Sequence, residues 1–161
     1  MAYVKHSHWL IGVIGILFLT SCTGSSSDTA KPAVLVGDYH IIGGERAGTP
    51  IDQHELDAVI TIREQTITAY DKEQNKTFAA TYTLDTKHMP WKITMISTKA
   101  PETGVISKGL IEAEGDKIRL IYALPNGQPP TDFTTGEQQQ MFVLVKTDAA
   151  MPERGPAPAG M

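Results

Sequence analysis

The densest group of titratable side chains in the chain lies at residues 52–57, where His54 stands among Asp52, Glu55 and Asp57. Imidazole nitrogen and carboxylate oxygen are ligands that divalent metal ions take in proteins. The spacing fits neither an HExxH helix nor a Cys/His pairing typical of zinc sites. His40, His88, Glu45 and Asp85 could join this group only through the fold. A solvated loop explains the run more simply, so we predict no metal and no cofactor.

Nucleophilic and acid/base catalysis have little support in the sequence. The chain has no Gly-x-Ser-x-Gly elbow, and Ser97 and Ser107 fall on predicted strands without an evident base. Glu112 and Glu114 alternate onto one face of a predicted strand beside a hairpin, which is more typical of a solvated edge than of an acid/base pair. We therefore predict that the protein is not an enzyme, and an envelope hydrolase is the least favoured hypothesis.

The remaining reactive group is the thiol of Cys22, the single cysteine of the chain. It follows a short leader in which Lys5 supplies positive charge and residues 9–19 form an apolar run, too short for a membrane span of about 20 residues. The segment Leu19-Thr20-Ser21-Cys22 resembles a bacterial lipobox. We predict a signal peptide at 1–21 and acylation of Cys22. The alternatives are cleavage by an ordinary signal peptidase, with Cys22 incidental, and a buried N-terminal helix.

Acylation would determine where the protein resides. Bacterial lipoproteins carry more than one acyl chain, and each buried methylene contributes about 0.8 kcal/mol to membrane binding, so this resemblance implies stable anchoring. Thr23 stands where an Asp would favour the inner membrane, which favours an outer-membrane address facing the periplasm. The net charge of −4 argues against a nucleic-acid partner.

Composition divides the predicted mature chain into three parts. Residues 22–33 are rich in Gly and Ser and predict a flexible tether, and residues 149–161 form a Pro/Gly/Ala-rich tail that can continue neither helix nor strand. Residues 34–148 have the length of one ordinary domain.

Within that domain the apolar residues alternate with a period close to two, which predicts antiparallel strands. Eight strands are expected, at 38–43, 58–63, 66–71, 77–84, 91–98, 104–114, 117–124 and 140–146. Helix is credible only at 52–57, as a short turn. Short connections favour an all-β up-and-down meander, and closing it into a barrel removes both exposed edges. A two-sheet sandwich is the alternative.

Several segments resemble a family of small, uncharacterised, lipocalin-like domains best known from planctomycete bacteria. The matching runs are Gly37–Gly48, Tyr82–Ile93, Gly109–Leu120, Pro130–Phe133 and the closing strand Met141–Lys146. Ile111 and Pro129 depart from that pattern, because the family often has an aromatic residue and an arginine there. The resemblance implies a lipocalin-like barrel, but these domains have no established activity, so it supplies no catalytic mechanism.

The aromatic side chains pose the main functional question. They are Tyr39, Tyr82, Trp91, Tyr122, Phe133 and Phe142. An eight-stranded barrel is just wide enough for its own side chains or for one small ligand, and we favour a filled interior. Tyr39 resembles the aromatic residue of the lipocalin Gly-x-Trp element, which closes the barrel floor. The favoured hypothesis is a non-catalytic, lipid-anchored envelope protein with an interaction or structural domain, and the alternative is a barrel that binds a small apolar molecule. No ligand-contacting residue is predicted.

Overall fold

The computed structural model describes residues 33–148, which form an antiparallel β-barrel preceded by a 3-10 turn at Ala33–Leu35. The strands are β1 (Gly37–Arg46), β2 (Thr49–Pro50), β3 (Ala58–Ile62), β4 (Thr66–Asp71), β5 (Lys76–Asp85), β6 (Trp91–Ser97), β7 (Ile106–Glu114), β8 (Lys117–Ala123) and β9 (Gln139–Lys146). This part of the chain contains no α-helix. No helix within residues 33–148 has the length and apolar character needed to cross a bilayer.

Strand pairing closes the sheet on itself. From β3 to β9 each strand pairs antiparallel with the next, and β1 pairs with both β3 and β9. The two-residue strand β2 only extends a hairpin at the end of β1, through Glu45 and Arg46. Eight strands therefore form a closed up-and-down barrel, which confirms the predicted lipocalin-like architecture and not the sandwich.

All eight predicted strands are present, and three segments differ from expectation. β1 continues past a bulge between Ile41 and Gly43 and pairs with β9 as far as Arg46, so it is longer than predicted. β2 was not predicted, since two residues carry no periodic signal. Residues 52–57 contain reverse turns and no helix. There the Asp52 carboxylate accepts a hydrogen bond from the His54 amide at 2.8 Å, an arrangement typical of Asx turns.

Inward-facing side chains fill one end of the barrel. We define the closed end as the end where β1 begins and β9 finishes. It contains Leu35, Tyr39, Ile62 and Tyr82, which are at most 3% exposed. The Tyr39 hydroxyl donates to the Leu35 carbonyl at 3.0 Å, and the Tyr82 hydroxyl donates to the Arg63 carbonyl at 2.9 Å. Packing and hydrogen bonding therefore seal this end.

A second buried layer lies outside the barrel. Leu110 on β7 and Ile121 on β8 face outward by alternation, yet they are only 6% and 0% exposed. Pro130, from the loop at 124–138, is also buried, and it lines a surface groove together with Leu110. The loop between β8 and β9 thus folds back against the outer face of the sheet.

Candidate functional site

A cavity of about 170 Å³ occupies the other half of the barrel, which we call the open end. Its walls are mostly apolar, and they include Ile41, Ile60, Ile67, Met95, Leu120 and Leu144. Glu55 and Thr77, which are both exposed, also line it, so the cavity reaches the surface beside them.

The cavity exists because small side chains stand at inward positions of neighbouring strands. Ala58 begins β3 and Ala69 lies on β4, and both line the cavity. On the same two strands, inward positions nearer the closed end carry the larger side chains of Ile62 and Ile67. Replacing a branched side chain by a methyl group leaves unfilled space unless the backbone moves, and the continuous hydrogen-bonded ladder between β3 and β4 holds the backbone in place.

Residues 47–57 cover the open end, and we call this segment the lid. Its apolar side chains, Ile51 and Leu56, are buried, and their methyl groups converge with the Phe142 ring over Gly44. The Ile51 amide donates to the Gly44 carbonyl at 3.0 Å. The lid is therefore fixed by these two apolar side chains, by this hydrogen bond and by the pairing of β2 with β1.

Polar side chains form the rim of the open end. The Arg46 Nη2 atom lies 2.9 Å from Glu55 Oε2, which joins the end of β1 to the lid. Arg46 Nε also donates to Gln140 Oε1 at 3.3 Å. The Thr135 hydroxyl donates to the Glu45 carboxylate and accepts from the Gly48 amide, so the 124–138 loop is tied to the same rim.

Tyr122 brings a polar atom into this mostly apolar site. Its ring lies on β8 opposite Gln140 and contacts the Phe142 ring, with centroids 6.4 Å apart and planes inclined by 41°. The pKa of Tyr122 is about 12, because burial raises it and the nearby charge of Arg46 lowers it by a smaller amount. Its phenol is therefore neutral at physiological pH and able both to donate and to accept a hydrogen bond.

The structure separates the side chains that sequence spacing had grouped as possible metal ligands. Asp52, His54 and Glu55 are exposed on the lid, where Asp52 stabilises a turn and Glu55 pairs with Arg46. Asp57 lines a shallow cleft of about 100 Å³ with His40. Across residues 33–148, no three His, Cys, Asp or Glu side chains are close enough together to hold a metal ion.

The other candidate residues have structural partners of their own. The Asp85 carboxylate accepts from the Lys87 amide at 3.1 Å, and the Ser97 hydroxyl donates to the Lys99 carbonyl at 3.4 Å. Glu112 forms an ion pair with Arg119 across β7 and β8. His88 is exposed in the loop between β5 and β6, and Ser107 lies on β7 opposite Met95. Cys22 lies outside the described residues.

The aromatic side chains divide between three environments. Tyr39 and Tyr82 seal the closed end, whereas Tyr122 and Phe142 line the cavity. Phe133 lies outside the barrel, with the Arg119 guanidinium carbon 4.3 Å from its ring centre, so the prediction that it fills or lines the interior was wrong. The expected filled interior is present only at the closed end. Sequence reasoning did not identify Arg46, Gln140 or the lid as parts of the site.

A larger groove of about 680 Å³ runs along the outside of the barrel. Outward-facing residues of β5, β6 and β7 form its floor, and Pro129, Pro130 and Thr131 form one wall. Lys92 and Lys108 project from the floor, and neither forms an ion pair with any residue in the described range.

No protein-family model, curated protein sequence or solved structure matches this chain. Its class is therefore defined by its own geometry. It contains a small closed barrel of eight antiparallel strands with one packed end and, at the other end, a lidded cavity with apolar walls and a polar rim.

Proposed function

We propose that this protein is a non-catalytic, lipid-anchored lipoprotein of the bacterial envelope whose barrel binds a small apolar molecule. The cavity at the open end is the observation that carries the proposal. Its volume is about 170 Å³ and its walls are largely apolar. An apolar protein cavity of about 150 Å³ stays dry and is large enough to hold benzene. A ligand of that size would gain hydrophobic free energy by leaving water.

The lid supports binding because it provides a route into the cavity. It is held by Ile51 and Leu56, by the two-residue pairing of β2 with β1, by hydrogen bonds from the Ala47 and Gly48 amides, and by the exposed ion pair between Arg46 and Glu55. Exposed ion pairs contribute about 0–1 kcal/mol, so this pair adds little resistance to opening. Displacement of residues 51–57 would open the lid without breaking the β1–β2 pairing or the ladder of the eight barrel strands.

The position of the chain ends supports an anchored arrangement. β1 starts and β9 finishes at the closed end, where the Thr147 amide donates to the Asp38 carbonyl at 2.9 Å. An acylated Cys22 would therefore join the barrel at the closed end, opposite the lid. We propose that the lid faces away from the bilayer, into the periplasm if the anchor lies in the outer membrane.

Binding can be tested with toluene as the probe and the Met95 methyl resonance of the full chain as the readout, because Met95 lines the cavity. We expect saturable shifts in the wild type and loss of binding in Ala69→Leu, whose added carbons occupy the cavity. Thr68→Leu is the matched control, because Thr68 precedes Ala69 on β4 and faces outward by alternation. A wild type that does not respond to toluene, or an Ala69→Leu variant that binds it equally well, would contradict the proposal.

The anchor needs a separate test in cells. Labelled palmitate should enter the wild-type protein and not Cys22→Ala, and the variant should move from the membrane fraction to the soluble periplasmic fraction. Equal membrane association of both proteins without label would contradict lipidation while leaving the binding proposal intact.

The outer groove favours a second candidate function, which is docking of an acidic, extended segment of another envelope protein. Two unpaired lysines, Lys92 and Lys108, lie in the same concave surface, and Asp85 is the only acidic residue among those that line it. A synthetic peptide rich in Asp and Glu should bind the full chain and lose about tenfold in affinity in the Lys92→Glu/Lys108→Glu variant. Lys72→Glu is the control, because Lys72 is exposed outside the groove. Equal peptide affinity in all three proteins would exclude this candidate.

A further inference from the structure

The Tyr122 hydroxyl is a polar group that an entirely apolar ligand would leave unused. It makes no hydrogen bond to any residue in the described range, whereas the hydroxyls of Tyr39 and Tyr82 each donate to a backbone carbonyl. Tyr122 is half-buried, and a hydroxyl that is largely removed from bulk water without a protein partner is satisfied by water or by a ligand.

The unpartnered oxygen must face an open space. In the described part of the chain, no side-chain nitrogen or oxygen is both sealed from solvent and without a hydrogen-bond partner. The Tyr122 oxygen lacks a partner, so it retains accessible surface. The space that Tyr122 lines is the cavity, and burial of the residue is deep enough to raise the pKa of its phenol. The hydroxyl therefore borders accessible space, and the cavity is the candidate for that space.

We propose that Tyr122 makes the cavity selective for small, neutral molecules that carry one hydrogen-bonding oxygen on an apolar body, such as cyclic ketones and alcohols. This inference rests on the proposed binding function and names the class of ligand. The oxygen of the ligand would pair with the Tyr122 hydroxyl near the rim. The hydrocarbon body would lie against Ile60, Ile67 and Leu144.

The charges around the cavity favour a neutral ligand over an acid or an amine. Glu55 is the only lining residue that carries a charge at neutral pH, and its carboxylate already pairs with Arg46 at 2.9 Å. A ligand charge would therefore enter the apolar cavity without a free counter-charge, which is strongly unfavourable. A neutral carbonyl or hydroxyl needs only the hydrogen bond that Tyr122 supplies.

The volume limits the ligand to about the size of a single six-membered ring. The cavity of about 170 Å³ slightly exceeds a cavity known to hold benzene, of about 150 Å³. The additional volume is enough for one oxygen atom that projects from such a ring. Cyclohexanone and methylenecyclohexane are a matched pair of probes, because they differ mainly in whether an oxygen or a methylene group projects from the ring.

The experiment compares both probes in the wild type, Tyr122→Phe and Tyr39→Phe, using methyl NMR titrations of the full chain. In Tyr122→Phe we expect cyclohexanone to bind about fivefold more weakly, since the ketone loses a hydrogen bond. Methylenecyclohexane should bind Tyr122→Phe as tightly as the wild type or more tightly. In the wild type this probe leaves the Tyr122 hydroxyl without a hydrogen bond, and the variant has no hydroxyl there. Tyr39→Phe should change neither affinity, since its hydroxyl lies at the closed end.

Each outcome distinguishes this inference from the proposed function. If neither probe binds the wild type, both the proposed binding function and the proposed selectivity are wrong. If both probes bind and Tyr122→Phe changes their affinities equally or not at all, the selectivity alone is wrong. If Tyr122→Phe does not fold, the Tyr122 ring ¹³Cζ shift of the wild type decides. It should move with cyclohexanone more than with methylenecyclohexane, and equal movement would overturn the inference.

Discussion

The two ends of the barrel are built on the same strands and differ in what their inward side chains do. At the closed end, Leu35, Tyr39 and Ile62 are at most 1% exposed. At the open end, Ala58 and Ala69 leave a cavity between equally well-paired strands. In a closed barrel the backbone amides and carbonyls of every strand are hydrogen-bonded along the whole length of the barrel. Stability therefore requires side-chain packing in only part of the interior. The other part is then free to accommodate a ligand.

The two ends also differ in the charges and hydrogen-bond partners that surround their tyrosine hydroxyls. Burial, together with smaller contributions from the charges of Asp148 and Asp116, raises the pKa of Tyr39 to about 12. The pKa of Tyr122 is also raised to about 12 by burial, but a cation, Arg46, opposes the increase. Acids thus help to raise the pKa of the tyrosine at the closed end, whose hydroxyl is bonded internally, while at the open end a positive charge lies near the Tyr122 hydroxyl.

The largest expected effect comes from truncating two inward side chains of β3, one at the closed end and one beside the cavity. Ile62 is 0% exposed and fully packed, so Ile62→Ala should lower the free energy of unfolding by about 3–4 kcal/mol. Ile60 already borders a cavity and has fewer neighbours to lose, so Ile60→Ala should cost about 2 kcal/mol. Denaturant unfolding of the two variants measures the difference.

Because both isoleucines lie on β3 and face inward, strand propensity cancels between them. Equal costs for the two substitutions would mean that the open end is packed as tightly as the closed end. The proposed cavity would then not exist in solution.

Alkaline pH should affect both ends through their tyrosines. The folded pKa values of Tyr39 and Tyr122 lie near 12, above the ordinary value of 10.0, so folding disfavours both phenolates. Their contribution to stability is therefore fully present below pH 10 and is lost as the pH rises from about 10 to about 12. The midpoint temperature of thermal unfolding should therefore decrease between pH 10 and pH 12. In Tyr39→Phe and in Tyr122→Phe this decrease should be smaller than in the wild type.

High salt should distinguish the two tyrosines. At about 1 M salt the Debye length is about 3 Å, so the repulsion from Asp148 and Asp116 is screened and the pKa of Tyr39 should decrease. The same screening weakens Arg46, so the pKa of Tyr122 should increase slightly. NMR titration of the ring ¹³Cζ resonances resolves each residue. If salt moved the pKa values of Tyr39 and Tyr122 in the same direction, the two ends would not differ in the sign of the charge that acts on their tyrosines.

The barrel was predictable because alternation is a local signal. Runs such as Ile118, Leu120 and Tyr122 place one face of each strand inside, and short polar turns such as Gly115-Asp116 fix which strands are neighbours. The φ of 58° at Gly115 shows why glycine occupies that turn. Closure followed from the need to protect the edges of a long meander.

The site was less predictable because it depends on contacts that are distant in the chain. Arg46 meets Gln140 only because β1 pairs with β9, and Tyr122 meets Phe142 only through the register of β8 and β9. Phe133 has no strand periodicity to reveal that its loop folds outward. One local signal did exist. Ile51 and Leu56 flank the polar residues 52–55, and two large apolar side chains in a loop indicate that the loop packs against the rest of the domain.

The smallest effect concerns how firmly the lid is held. A Cβ atom at Gly44 would lie 3.0 Å from Ile51 Cδ1 and from Leu56 Cδ2, closer than comfortable van der Waals contact. Gly44→Ala should therefore displace the lid by a few tenths of an ångström and increase hydrogen exchange at the Ile51 amide. At Gly43 a Cβ would meet only Val143 Cβ, at 4.0 Å, so Gly43→Ala is the control.

Neither glycine has positive φ, so alanine is allowed by the backbone at both positions, and each variant gains the same entropic benefit of about 0.5–1 kcal/mol. Gly44→Ala should then be less stable than Gly43→Ala by about 1 kcal/mol, with faster ligand exchange and little change at the closed end. If exchange quickens equally at the Ile51 amide and at the amides of β3, the lid does not open independently of the barrel. Widening the opening beside Glu55 and Thr77 would then require movement of the strands themselves, and the contrast between a fixed end and a movable end would be lost.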